Sequence, residues 1–255
     1  MAFYGLDVSQ YQGEINWNQV KSAGKVFAMI RIGWCGYDGT LVKDPTFERN
    51  LSQAGAAGME TGVYLYSYAR SQEAMVTAAR QVLTELRGKT VTYPVALDFE
   101  DRLYQSNSRE LNTSLAKAFL ETIQEGNYFA QLYTYTSFAN TWLNMADLKA
   151  YSFWLADYSE KPSYTGAYAM WQYTGSGSVR GITGPVDLDV SYQDFARIIQ
   201  NAGLNQPKEE TPPSSCDDQL QSLQQQLAAA KEDLQQVRQQ LDQIKEGLED
   251  LLKKL

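Results

Sequence analysis

Between residues 3 and 190, short apolar runs rich in β-branched and aromatic side chains recur eight times. They lie at 3–8, 26–32, 62–68, 93–99, 130–136, 152–157, 169–173 and 186–190. Segments with helical spacing separate the earlier runs: 45–57 around Phe47 and Leu51, 72–87 around Met75, Ala79 and Leu83, and 109–125 around Leu111, Leu115, Phe119 and Ile123. Strand–helix alternation of this kind specifies a mostly parallel sheet with helices packed outside it, and eight strands suffice to close that sheet. Residues 1–205 are therefore expected to form an irregular α/β barrel of the TIM-like type. The last three runs follow one another too closely for full crossover helices, so that part should be irregular or antiparallel.

The composition changes near residue 205. Gln206-Pro207-Lys208-Glu209-Glu210-Thr211-Pro212-Pro213-Ser214-Ser215 is polar and rich in proline, which reads as an extended linker over 206–216. From 217 to 255 the aromatics vanish, and apolar positions alternate three and four residues apart from Leu220 to Leu255. This is a heptad seam over five repeats. One seam class is all leucine (Leu220, Leu227, Leu234, Leu241, Leu248, Leu255), while the other mixes Leu223, Ala230, Val237, Ile244 and Leu251. Leucine at a with β-branched residues at d favours more than two strands. Basic Lys231, Arg238 and Lys245 at e oppose antiparallel pairing, so a parallel tetramer is expected, ahead of a trimer or dimer. The competing readings are a lone amphipathic helix and an engineered oligomerisation tag. Cys216, just before the seam, would sit near its counterparts in a parallel assembly and could crosslink them, or remain a solvated thiol.

Several chemistries are excluded by what is missing. There is no histidine, which removes Ser-His-Asp and Cys-His catalysis and imidazole metal sites. Two cysteines in the whole chain cannot make a disulfide scaffold, and Cys35 has no histidine base, so it reads as a packed thiol. A net charge of -8 argues against nucleic acid or an anionic membrane as partner. No apolar stretch is long enough to span a bilayer. The first residues lack a secretory pattern, which leads to an expectation of cytosolic synthesis. The glycine-rich stretch 175–184 lies between two strands rather than before a helix, so it fails the context of a phosphate loop.

Acids at the barrel mouth carry the chemistry. In parallel barrels the active groups collect where strands finish. The run Tyr93-Pro94-Val95-Ala96-Leu97-Asp98-Phe99-Glu100 is apolar until two carboxylates appear. Residues two apart on a strand share a face, with Cα atoms roughly 6–7 Å apart. Crowding of this kind raises one carboxyl pKa, and a proton donor beside a carboxylate is what glycosidic cleavage needs. The plainer alternative is a salt bridge to Arg31 or Arg102. Asp7 ends the first run and Asp187 lies in the last; in a closed barrel those strands are neighbours, so both acids should join the pair. A Ca2+ or Mg2+ site is the other use for clustered oxygens, but these acids form no compact ligand loop, and no metal or other cofactor is expected.

Three motifs resemble glycoside hydrolase family 25, the Chalaropsis-type lysozymes. They are Gly5-Leu6-Asp7-Val8-Ser9-Gln10-Tyr11-Gln12-Gly13-Glu14-Ile15-Asn16-Trp17, then Asp98-Phe99-Glu100, then the segment 171–187 from Trp171-Gln172-Tyr173 to Pro185-Val186-Asp187. They occur in the family's order within residues 2–200. The resemblance implies a flattened barrel that hydrolyses the β-1,4 bond from N-acetylmuramic acid to N-acetylglucosamine in peptidoglycan. It also implies Glu100 as general acid, Asp98 as its partner, and Asp7 and Asp187 in the same pocket. Two residues beyond Asp187 many relatives carry asparagine where this chain has Asp189, whose role the resemblance leaves open. Asp98 acts either as nucleophile or by polarising the substrate's own 2-acetamido group; the second fits two acids on one strand better.

Tyrosines and tryptophans near strand ends are the expected sugar platforms, because aromatic faces stack on the C–H faces of pyranoses. Tyr64, Tyr66, Tyr135 and Trp171 are the candidates, with Trp34 and Tyr37 behind them; many such rings are ordinary barrel packing. Arg31 is either a counter-ion for the acids, lining the same site, or a barrel ion pair. The resulting expectation is a phage or prophage endolysin, released by a holin-type route to the cell wall and made multivalent by its coiled coil. Its rivals are a non-catalytic wall-binding protein on the same barrel and a chitin-directed hydrolase, although Val95 and Leu97 break the longer acidic alternation that the latter carries.

Overall fold

A computed structural model of the protein describes residues 2–206. In chain order the elements are β1 (Phe3–Val8), α1 (Trp17–Ser22), β2 (Phe27–Cys35), β3 (Leu41–Lys43), α2 (Phe47–Ala56), β4 (Glu60–Ser67), α3 (Gln72–Glu85) and β5 (Val95–Asp98). They continue with α4 (Arg109–Glu125), β6 (Ala130–Tyr135), α5 (Thr136–Trp142), β7 (Ser152–Ala156), β8 (Met170–Gly177), β9 (Val186–Ser191) and α6 (Phe195–Ala202). Two of the three expected helices, α3 and α4, begin where serine side chains cap them: Ser71 accepts from the Ala74 N–H and Ser108 from the Leu111 N–H.

The sheet runs β1-β9-β8-β7-β6-β5-β4-β2-β3, and a β1–β2 pairing closes eight of these strands into a barrel. Those eight are the eight runs of the sequence. The ninth strand, β3, was not expected: it forms a hairpin with Gly33–Cys35 of β2, whereas Phe27–Ile30 of β2 pair with β1. It therefore raises the barrel wall above the end of β1. From β1 through β2, β4, β5, β6 and β7 to β8 the pairings are parallel; β8–β9 and β9–β1 are antiparallel. The closely spaced last runs thus behave as their short connections require. Helices α1, α5 and α6 were not foreseen; the first two are seven residues or fewer. The expected linker beyond Gln206, the expected coiled coil and tetramer, and Cys216 lie outside the described residues.

Strand alternation sorts side chains into two cores. Val95 and Leu97 of β5, with Ala28 and Ile30 of β2, face the helices, whereas Ala96, Phe27, Met29, Tyr133, Trp154 and Met170 fill the barrel. Phe27 and Tyr93 stack at 4.7 Å between ring centroids and Phe195 of α6 meets Tyr93 edge-on, which plugs the base. Gly5 faces that plug: a Cβ there would lie 2.5 Å from the Phe27 ring. With the base filled by rings, the polar inward positions are left to the mouth.

Candidate active site

The acid cluster follows from register. Asp98 stands two residues beyond Ala96 on the inward face of β5, with Tyr66 and Tyr133 as its lateral partners. Glu100 lies just past the strand. Because β9 runs antiparallel, it begins at the mouth, and Asp187 at its start pairs directly with Asp7 at the end of β1. Asp189, two residues deeper, is fully buried; Asp7 and Asp98 are 4% and 6% exposed. The structure thus brings Asp7, Asp98, Glu100 and Asp187 to one mouth, as the sequence suggests, and adds Asp189 beneath them.

Burial and mutual repulsion push these carboxyls up. Desolvation raises Glu100 to about 7, with the charges of Asp187 and Asp101 adding to it. Asp98 is also raised, by burial first and by Glu100 next, but the Arg31 charge opposes that shift. Both carboxyls are thus held above the ordinary range, and the crowded pair retains a proton near neutral pH. Asp98 Oδ1 is buried without a hydrogen-bond partner in the protein. Asp7 is raised by burial and by the charges of Asp189 and Asp187, and its proton is shared with them.

Gln172, which the sequence reading passed over, organises this cluster. Its Oε1 accepts from the Tyr133 hydroxyl at 2.9 Å and the Tyr158 hydroxyl at 2.7 Å, so its Nε2 must face Asp7, to which it donates at 2.7 Å. That bond favours charge on Asp7 against the burial that opposes it. Asp157 organises the next loop: it accepts from Thr136 at 2.6 Å, from the Ser163 N–H and hydroxyl at 3.0 Å each, and from Ser159. These donors outweigh its burial and hold its carboxyl below the usual range. Glu100, Tyr133, Tyr135, Thr136, Asp157 and Tyr158 line a cavity of about 450 Å³. A larger cleft of about 750 Å³, between α1, α2 and residues 181–183, contains none of the clustered acids.

Three expected site residues need correction. Tyr64 sits one inward layer below Tyr66, 9% exposed and edge-on to Trp154, so it is barrel core rather than a sugar platform. Trp171 occupies the face of β8 opposite Met170 and Gln172; its indole donates to the Asp157 carbonyl at 2.7 Å and stands beside Tyr173. It braces the Asp157 loop from outside the acid cluster. Arg31 is held in an ion pair with buried Asp44 at 2.8 Å, the barrel pairing that the sequence left open, and its charge still acts on Asp98. Tyr66 and Tyr135 do reach the mouth: the Tyr66 hydroxyl donates to Asp101 at 3.0 Å, and Tyr135 lines the cavity. Among the described residues, no three or more acids or thiols are arranged to hold a metal ion, and no helix is long and apolar enough to cross a membrane.

Asp189 gives a stability test. Its Oδ1 accepts from the Trp154 indole at 2.8 Å, while its Oδ2 has no donor except a neighbouring carboxyl's proton. Burial raises it to about 8, above its unfolded value of about 3.9. The folded state therefore binds the extra proton: the contribution is complete below about pH 4 and is lost as pH rises through 8. Asp189→Asn keeps the indole acceptor and removes the titration. Its thermal midpoint should fall less than the wild type's between pH 5 and 8, the difference reaching about 1.4 kcal/mol per pH unit at most. Parallel curves would contradict the assignment.

A β/α barrel whose mouth crowds carboxylates, one still protonated near neutrality beside charged neighbours, defines a glycoside hydrolase. The sequence model of glycosyl hydrolases family 25 matches residues 6–182, and the chain belongs to that family. Lysozyme M1 of Streptomyces globisporus is 31% identical over 213 residues, covering 76% of this chain and 69% of the relative. The autolytic lysozyme of Clostridium acetobutylicum is 29% identical, covering 88% of this chain but only 64% of its own length. Among solved structures, the bacterial lysozyme of Streptomyces coelicolor is similar with a TM-score of 0.63 and 26% identity, over 78% of this chain and 96% of that one. The CTP1L endolysin gives a TM-score of 0.65 at 25% identity, over 78% and 70%.

Proposed function

We propose that this protein is an N-acetylmuramidase that cleaves the β-1,4 bond from N-acetylmuramic acid to N-acetylglucosamine in peptidoglycan. The observation that carries the reading is the crowding of Glu100 and Asp98 at one strand end, where burial raises both carboxyls and Glu100 to about 7. Glu100 donates its proton to the leaving oxygen. Asp98 Oδ1, buried without a donor, accepts the N–H of the 2-acetamido group, whose carbonyl oxygen attacks the anomeric carbon from the opposite face. Water then opens the resulting ring, with Glu100 as base. Asp7, oriented by Gln172, and Asp187, its cross-strand partner, stabilise positive charge developing on the sugar. Tyr66 and Tyr135 contact the sugar rings. The lysozymes among its relatives support the substrate.

An endolysin role, with holin-type release and action on the wall, belongs to the same proposal; likeness to the CTP1L endolysin supports the role. Joining several barrels through the heptad seam of Leu220–Leu255 would raise avidity for a polymeric wall.

The deciding experiment is mass spectrometry of fragments released from Gram-positive walls. New reducing ends should be muramic acid. Reducing N-acetylglucosamine, or freed amino groups without new reducing ends, would overturn the assignment, and clearing of colloidal chitin in place of walls would make it a chitin hydrolase.

A further inference from the structure

The cleft does not stop at the acids. Asp101, next to Glu100, accepts from Tyr66, whose ring stands 5.0 Å from that of Tyr68. The segments that follow β2 and β4 run side by side, the Tyr68 N–H donating to the Cys35 carbonyl at 3.2 Å and the Arg70 N–H to the Tyr37 carbonyl at 3.1 Å, while Tyr11 follows the end of β1. Tyrosines therefore stand just past the ends of β1, β2 and β4, on the side of the mouth where Tyr66 meets Asp101 beside Glu100. Two of these rings open to water: Tyr11 is 77% exposed and Tyr37 58%.

Large exposed rings are ordinarily mobile, yet each of these is backed by an arginine. The Arg70 guanidinium lies 3.8 Å from the Tyr37 centroid, and that of Arg31 lies 5.0 Å from Tyr11 and 5.8 Å from Trp34. Arg31 is itself fixed by Asp44, which also accepts the Gln10 N–H beside Tyr11. Asp44 is held ionised: burial would raise it, but bonds from Thr46, Gln10 and Arg31 keep its carboxyl below the usual range. A planar ring held on one side by a guanidinium and open on the other loses little freedom when a ligand stacks on it. Flat C–H faces of pyranoses are the ligands whose shape and polarity match such rings.

We propose that Tyr11 and Tyr37, each backed by its arginine, form a distal saccharide subsite that takes pyranose rings of the glycan strand beyond the cleaved bond. The inference rests on the muramidase reading above and adds to it a preference for long glycan chains.

The test uses oligomers of four, six and eight sugars with the N-acetylglucosamine–N-acetylmuramic acid repeat. For the full-length protein, kcat/KM should rise with length. Tyr11→Ala and Tyr37→Ala should each remove most of that rise, about three- to tenfold on the octasaccharide. Tyr11→Phe and Tyr37→Phe keep the ring and should retain the rise; Arg70→Ala should weaken it in part. Equal losses by the alanine variants at every length, or no loss, would overturn the subsite while leaving the muramidase reading intact. Failure of the unaltered protein to cut any of these oligomers would instead remove the muramidase reading, and the subsite with it.

Discussion

Glu100→Gln is expected to lower kcat on peptidoglycan by about 10²–10⁴-fold with little change in KM, because a positioned general acid contributes on that order and the amide keeps the shape but not the proton. The pH dependence carries the same signature. Glu100 must be protonated to serve the leaving oxygen, and burial with Asp187 and Asp101 holds it near 7. The rate should therefore fall as pH rises through about 7, and that alkaline limb should vanish from the residual activity of the variant. Turbidity loss of cell walls across pH measures both. A variant that clears walls at more than a tenth of the normal rate would contradict the assignment.

Asp98→Asn should cost about 10²–10³-fold in kcat, the range for removing one preorganised electrostatic contact from a dry site. The size alone does not separate the two roles open to Asp98, but a cycle with the substrate does. If Asp98 acts on the acetamido group, removing that group from the glycan should slow the wild type to the level of the variant. On the de-N-acetylated glycan the two proteins should then be nearly equal. Were the variant to lose the same factor on both substrates, with the wild type still fast on the de-N-acetylated one, Asp98 would be a direct nucleophile.

The eight staves of the barrel and the acids at its mouth were legible because both depend on period-two alternation and on where an apolar run stops. The same signal was present at Asp157, which ends the run Ser152-Phe153-Trp154-Leu155-Ala156 as Asp98 ends its own. Its importance shows only once the 159–163 loop folds back onto it. Parity in the β8 run was the harder matter. Trp171, Gln172 and Tyr173 alternate, but which of them faces inward depends on the antiparallel partner β9 and on the register shift after Gln172. The aromatic pair looked like the functional face, yet the amide is. Depth was equally hidden: Tyr64 and Tyr66 share a face, and only the height of the base plug decides which is buried. The partner of Arg31 was missed because Asp44 lies after β3, a three-residue strand too short for any periodic signal.

The most direct measurement is a carboxyl titration of Glu100 itself. Protein labelled with ¹³C at glutamate carboxyls gives one resonance per glutamate, and its absence from Glu100→Gln identifies the one that matters. Crowding at the barrel mouth predicts a midpoint at about 7 for that signal. A midpoint near the ordinary glutamate value of about 4.3 would show that the mouth does not hold the proton, and the catalytic account would fail.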